Sequence, residues 1–202
     1  MPPRAGAVLT HANLIANSAG CCRFVAFEAT DVHVSYLPLA HIYERVNTLS
    51  CTHAGAAIGF YSGDVARLLD DLAALRPTVF ASVPRLWNRI HDRVMAEVAA
   101  ANPAARALFH AAFRSKRAAL ERGDARGGVA APLWDALVFR RVKAKLGGRV
   151  RLLTTGASPI SGDVMAFIRV CFPGALVLEG YGAPPPPPPC ARPPAHRRAP
   201  PH

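Results

Sequence analysis

The sequence predicts an α/β protein with parallel strands and crossover helices, and three observations carry that reading. Between Asp31 and Leu39, Val32, Val34 and Tyr36 alternate at period two before Pro38 opens a polar loop, as in a strand delivering its end to a functional edge. Asp64 then caps a helix whose Val65, Leu68, Leu69, Leu72 and Leu75 form one apolar stripe ended by Pro77, and the β-branched run Thr78–Val83 follows at once. Strand, helix and strand in that order are the layout of a crossover unit. Finally, two later strand-like runs, Val150–Leu153 and Leu176–Leu178, each enter a glycine turn, TTGAS and EGYG.

The remaining elements follow from spacing and stop signals. Thr10 caps a helix beginning near His11, and His11 itself reads as a structural or surface residue. Pro84 suits a first helical turn, after which Leu86, Trp87, Ile90, Val94 and Val98 keep helical spacing to about Ala101. A second helix runs from near Ala104 to Arg122 on Leu108, Phe109, Ala112, Phe113 and Leu120, with Gly123 as its stop. A third spans Leu133–Leu146 and ends at Gly147-Gly148, and a fourth spans Ser161–Phe172. Trp87 and Phe109 are expected in the core, and the adjacent Cys21 and Cys22 are expected to pack rather than react.

Composition narrows the class. With 202 residues and 51% apolar content, the chain has material for one globular domain. No apolar run approaches the length of a membrane span, and MPPRAGAV is not a secretory signal. Five cysteines without a CxxC pair argue against a disulfide framework or zinc ribbon and fit a reducing compartment. The net charge of +11 invites an anionic partner, and nine Arg/Lys against four Asp/Glu lie between Arg85 and Arg126. These are spread over helical sequence without interleaved aromatics, so a solvated basic face is expected and no nucleic acid partner. Arg114, Lys116 and Arg117 are its candidates for peripheral contact with anionic lipid.

The two glycine turns are what a nucleotide crevice at the carboxyl ends of parallel strands requires. Glycine lets backbone approach a base or phosphate, and an aromatic such as Tyr181 stacks on a purine. Taken singly, a Gly-Ala-Ser-Pro turn also reads as a helix entry, and Tyr181 as a half-buried aromatic.

Five separated motifs agree in order: LTHANL at Leu9–Leu14, SYLPLAHIYER at Ser35–Arg45, VPRLWNR at Val83–Arg89, LGGRVRLLTTGASP at Leu146–Pro159 and EGYG at Glu179–Gly182. From Gly6 to Gly182 the chain resembles a long-chain fatty acyl-CoA synthetase of the AMP-binding, adenylate-forming superfamily. The resemblance implies part of the large domain of that fold and a two-step ligation. A fatty carboxylate attacks the α-phosphate of ATP, assisted by Mg²⁺, and the thiol of coenzyme A then displaces AMP. It places His41 beside the reacting carboxylate and adenylate, the alternative being a helix-capping or loop histidine. It assigns Gly156, Ala157, Ser158 and Pro159 to the loop against adenine, and Glu179, Gly180, Tyr181 and Gly182 to the start of the adenine signature, with Tyr181 as the purine wall. Glu44 and Arg45 either brace the loop or form an ordinary surface ion pair.

Departures from the pattern are equally specific. Where the phosphate loop closes with Pro-Lys-Gly, this chain reads Arg4-Ala5-Gly6, and after EGYG the Thr-Glu pair that holds Mg²⁺ is replaced by Ala183 and Pro184. Ala183–His202 holds ten prolines. The expected organisation is a lead-in over 1–8 without the phosphate loop, a partial AMP-binding domain over 9–182, and a disordered proline-rich tail over 183–202. The resemblance thus predicts a ligase by descent that is inactive as this chain alone. The alternative is a non-catalytic module that binds through its basic helices or through the tail in a polyproline II conformation. An intracellular location, free or at a membrane such as endoplasmic reticulum or peroxisome, is the expectation, although the C-terminal PPH is no peroxisomal tripeptide.

Overall fold

In the computed structural model residues 8–124, 127–156 and 158–180 are described, and the expected lead-in, apart from Val8, and the proline-rich tail lie outside them. Five parallel strands form one sheet in the order β2-β1-β3-β4-β5. They are β1 (Val32–Ser35), β2 (Ala57–Phe60), β3 (Val79–Ser82), β4 (Leu152–Gly156) and β5 (Leu176–Gly180). The helices are α1 (His11–Val25), α2 (Ile42–Ala54), α3 (Leu68–Leu75), α4 (Pro84–Ala100), α5 (Pro103–Glu121), α6 (Ala131–Trp134), α7 (Arg140–Ala144) and α8 (Gly162–Cys171).

Period two divides the sheet into two faces. Val34, Tyr36, Phe80 and Leu153 point into the main core, where they meet Leu68 and Leu72 of α3, Trp87 and Ile90 of α4, Phe109 of α5 and Phe167 and Ile168 of α8. Trp87 packs edge-on to Phe80 and Phe172, with centroids 5.3 and 6.2 Å away. Trp87 and Phe109 are therefore core residues, as expected. The opposite face carries α1 and α2 and is polar for an interior: Ser18, His33, Glu44, Asn47 and Ser50 are all buried. Cys22 Sγ donates to Ser50 O at 3.7 Å, and burial pushes the Cys21 thiol above its ordinary value, which suits packing rather than nucleophilic chemistry.

At the amino ends of the strands Asp31 ties three of them together. It accepts from Arg151 Nε at 2.7 Å, from Thr78 Oγ1 at 2.6 Å and from Glu28 N at 2.9 Å. Thr78 Oγ1 in turn accepts from Val32 N at 2.9 Å. Burial raises the Asp31 pKa, but the hydrogen bonds from Arg151 and Thr78 outweigh it and hold the carboxyl below its ordinary range. This end of the sheet is thus clamped, and the opposite end is left for loops.

Most elements fall where the sequence places them. Thr10 closes a capping box with Asn13, Asp64 accepts from Ala66 N, Pro84 stands in the first turn of α4, and Ser161 accepts from Val164 N. The Asp64-capped segment begins as a short 3-10 turn, Val65–Arg67, before α3, and Val65 is exposed rather than part of the buried stripe. Gly147, at φ +82°, ends the segment after α7 against the end of α3. A Cβ there would lie 2.4 Å from Arg76 Cα, so only glycine fits.

Three expectations change. The polar loop after Pro38 is short and gives way to the 13-residue α2, and β2 supplies a further strand. The helix expected as one piece over Leu133–Leu146 begins at Ala131 and contains a π turn, Asp135–Phe139, between α6 and α7. Lys116, expected on the solvated basic face, is buried: Nζ donates to Asp135 Oδ1 at 2.5 Å and lies 5.0 Å from the Phe139 ring centroid. The π turn presents both partners to α5.

Candidate functional site

Because every strand runs the same way, the carboxyl ends lie along one edge, with β1, β3, β4 and β5 contiguous there. The chain leaving β1 passes through Tyr36, whose hydroxyl is 2.7 Å from Ser82 Oγ at the end of β3. Pro38 O then accepts from His41 N at 2.9 Å, and Arg45 Nε donates to Leu39 O at 2.6 Å. Arg45 therefore braces the loop. His41 occupies the N-cap of α2 in extended conformation, its ring exposed and making no cap hydrogen bond. It is a capping residue by position, with an imidazole available to something outside the fold.

Glu44 is no surface residue. Its Oε1 lies 3.2 Å from His33 Nε2 of β1, and both side chains are fully buried. This pair fastens the first turn of α2 to the sheet. On the same turn Tyr43 reaches across to β4, where its hydroxyl is 2.6 Å from Thr154 Oγ1. Burial, only partly offset by that bond, pushes the Tyr43 pKa up to about 12, so the hydroxyl stays protonated at neutral pH.

Gly156 ends β4 in register with Gly180 on β5, so two residues without side chains stand next to each other. A Cβ on Gly156 would lie 3.4 Å from Gly180 O and 3.5 Å from Tyr43 Cζ. There is room for a methyl and no more. Gly156 is itself buried against the Tyr43 ring, and the bare backbone left open at this end is that of the exposed Gly180. Ser158 and Pro159 are exposed in the turn before α8, and Glu179 is exposed on β5 beside Thr155. Ala157, Tyr181 and Gly182 lie outside the described residues.

The residues singled out by sequence thus meet at one edge, apart from those three. Sequence reasoning missed Tyr43, Thr154 and His33. Tyr43 was readable as part of the PLAHIYER motif, but its reach to Thr154 depends on an α2 that the sequence did not reveal. Among the described residues no group of three or more His, Cys, Asp or Glu side chains could hold a metal ion. The described residues thus offer no carboxylate cluster for a resident Mg²⁺ ion.

The parallel α/β fold is shared with solved adenylation domains. The chain matches the adenylation domain of a carboxylate reductase from Mycobacterium chelonae with a TM-score of 0.54 at 23% identity, over 84% of this chain and 23% of that one. It matches apo MatB from Rhodopseudomonas palustris with a TM-score of 0.53 at 21% identity, over 90% of this chain and 28% of that one. At such identities the likeness concerns the fold. The model of the AMP-binding enzyme family matches residues 4–184, and the chain belongs to that family. Among curated proteins it is 55% identical over 177 residues to long chain acyl-CoA synthetase 6, peroxisomal, of Arabidopsis thaliana, which covers 88% of this chain and 24% of that protein. It is 41% identical over 184 residues to long-chain-fatty-acid–CoA ligase 1 of Cavia porcellus, at 88% and 25% coverage. The chain spans about a quarter of the length of these relatives.

Proposed function

We propose that the chain is the adenine- and carboxylate-facing part of an ATP-dependent long-chain fatty acid–CoA ligase. The observation that carries this reading is the register of Gly156 with Gly180, which sets two bare backbone segments beside each other at the strand ends. A planar base laid against the exposed Gly180 of this pair meets no side chain of that residue.

In the reaction, a fatty carboxylate oxygen bonds to the α-phosphorus of ATP and pyrophosphate leaves. The thiolate of coenzyme A then bonds to the acyl carbon and AMP leaves. His41, at the amino end of α2, supports the first step. An imidazole N–H there donates a hydrogen bond to charge developing on the transferred group, and the helix amino end favours that charge. The Tyr43–Thr154 bond and the Glu44–His33 pair fix the turn that carries His41 relative to Gly156. The peroxisomal naming of the Arabidopsis relative supports a location at that organelle. Among the described residues no helix is long and apolar enough to cross a membrane.

Calorimetric titration of the 202-residue polypeptide with AMP tests the site. Weak binding is expected, indifferent to Mg²⁺, because base stacking and backbone contacts do not need a phosphate clamp. Gly156→Val should remove it by forcing a branched side chain against the Tyr43 ring and Gly180 O, which displaces the two strand ends from each other. AMP binding that survives Gly156→Val unchanged would place the nucleotide elsewhere and sink this reading.

A further inference from the structure

The segment from Val129 to Arg149 has one outward stripe of divided chemistry. Its buried positions, Ala131, Phe139, Val142 and Leu146, face the core. Its exposed positions recur every helical turn as Leu133, then Ala136 and Leu137, then Arg140 and Arg141, then Ala144, then Gly148 and Arg149. The first half is apolar. Leu133 and Leu137 are 55% and 58% exposed, and Val129 stands fully exposed on a turn opened by Gly127 and Gly128, both at positive φ. The second half is basic, and no Asp or Glu occurs anywhere between Asp135 and Asp163. Lys145 is paired with Glu97 and Arg151 with Asp31, whereas Arg140, Arg141, Lys143 and Arg149 make no side-chain hydrogen bond or ion pair among the described residues.

Large aliphatic side chains held out in water, directly beside unpaired cations, match neither a solvated face nor a core. A nucleic acid would answer the arginines but leave Val129, Leu133 and Leu137 unused. An anionic bilayer surface answers both halves: aliphatic tips enter the headgroup boundary and guanidinium groups meet lipid phosphates. We propose that this stripe docks on an anionic lipid surface, with Val129, Leu133 and Leu137 entering the interface and Arg140, Arg141 and Arg149 contacting phosphate. Of the three residues expected to meet anionic lipid, Lys116 is buried and Arg117 is paired with Glu121 and Asp163, which leaves Arg114 exposed there. The inference stands apart from the ligase reading, since it is measured without turnover.

The test is co-sedimentation of the 202-residue polypeptide with phosphatidylcholine vesicles, with and without phosphatidylserine. Binding should require the anionic lipid and weaken as salt rises. Arg140→Gln with Arg141→Gln should weaken it by about fivefold per charge removed. Leu133→Gln with Leu137→Gln should weaken it by roughly tenfold or more, since inserted aliphatic area is lost. Both pairs are exposed, and an unchanged urea midpoint shows that the variants fold. Four outcomes would overturn the proposal: absence of binding to anionic vesicles at low salt; binding indifferent to the leucine pair; displacement by RNA at low concentration; or a leucine-dependent dimer that does not bind vesicles.

Discussion

At the scale of single residues, the edge is held by two hydrogen-bonded pairs of different strength. Removing the Tyr43 hydroxyl with Tyr43→Phe leaves the ring against Gly156 and breaks only the bond to Thr154, so a loss of about 1 kcal/mol in urea unfolding is expected. Glu44→Ala strips the buried His33 of its partner and should cost more, roughly 3 kcal/mol, because the remaining polar group has no access to water. Equal costs for the two substitutions would contradict the difference in burial on which this ranking rests. Asp31 gives a pH signature. Its folded pKa is lowered from the ordinary 3.8, so its contribution is complete above that value and declines as pH falls below it toward the folded pKa. Asp31→Asn should remove about 1–3 kcal/mol at neutral pH and flatten this part of the acid-unfolding curve. A variant as acid-sensitive as the parent would exclude Asp31 as the titrating group.

Among the elements, legibility follows the kind of face each one buries. α3, α4, α5 and α8 bury aliphatic or aromatic stripes, so their 3.6-residue period is visible; Pro77 and Gly123 follow the ends of α3 and α5, and Ser161 caps the start of α8. α2 buries Glu44, Asn47 and Ser50 beside Val46 and Cys51, and a polar buried face leaves no hydrophobic period to read. β2 is four residues long and half-exposed, and Ile58 is its one β-branched residue, between Ala57 and Gly59, so no alternation or β-branched run marks it. The same blindness hid part of the site. The PLAHIYER and TTGAS motifs were readable as separate loops, but their joining through Tyr43 and Thr154 needs α2 in place. The charge of Lys116 suggested solvent, because a sequence does not reveal that Asp135 and Phe139 enclose it. Gly147→Ala tests an element boundary directly: with Arg76 Cα 2.4 Å from the new methyl, α3 and the end of α7 must separate, and a loss of roughly 2 kcal/mol or more is expected in thermal unfolding.

For the whole molecule, membership of the AMP-binding family and a parallel five-stranded sheet account for where the candidate residues lie. The chain represents about a quarter of the relatives it matches. The 202-residue polypeptide, which reads Arg4-Ala5-Gly6 and Ala183-Pro184 where the resemblance calls for phosphate and metal contacts, is expected to show no exchange of pyrophosphate into ATP with palmitate present. Exchange above the level of a His41→Ala, Tyr181→Ala double variant would mean that other residues of this sequence provide those contacts.

The most direct measurement of the central claim transplants the site. Long chain acyl-CoA synthetase 6 of Arabidopsis thaliana, with its matching 177 residues exchanged for those of this chain, would be assayed for palmitoyl-CoA formation from palmitate, ATP and coenzyme A. The expected result is an active chimera in which His41→Ala lowers kcat/KM by about two to three orders of magnitude, the scale on which loss of one donor to developing charge is felt. A folded chimera that makes no palmitoyl-CoA, or one that is indifferent to His41→Ala, would contradict the assignment of this edge to adenylate chemistry.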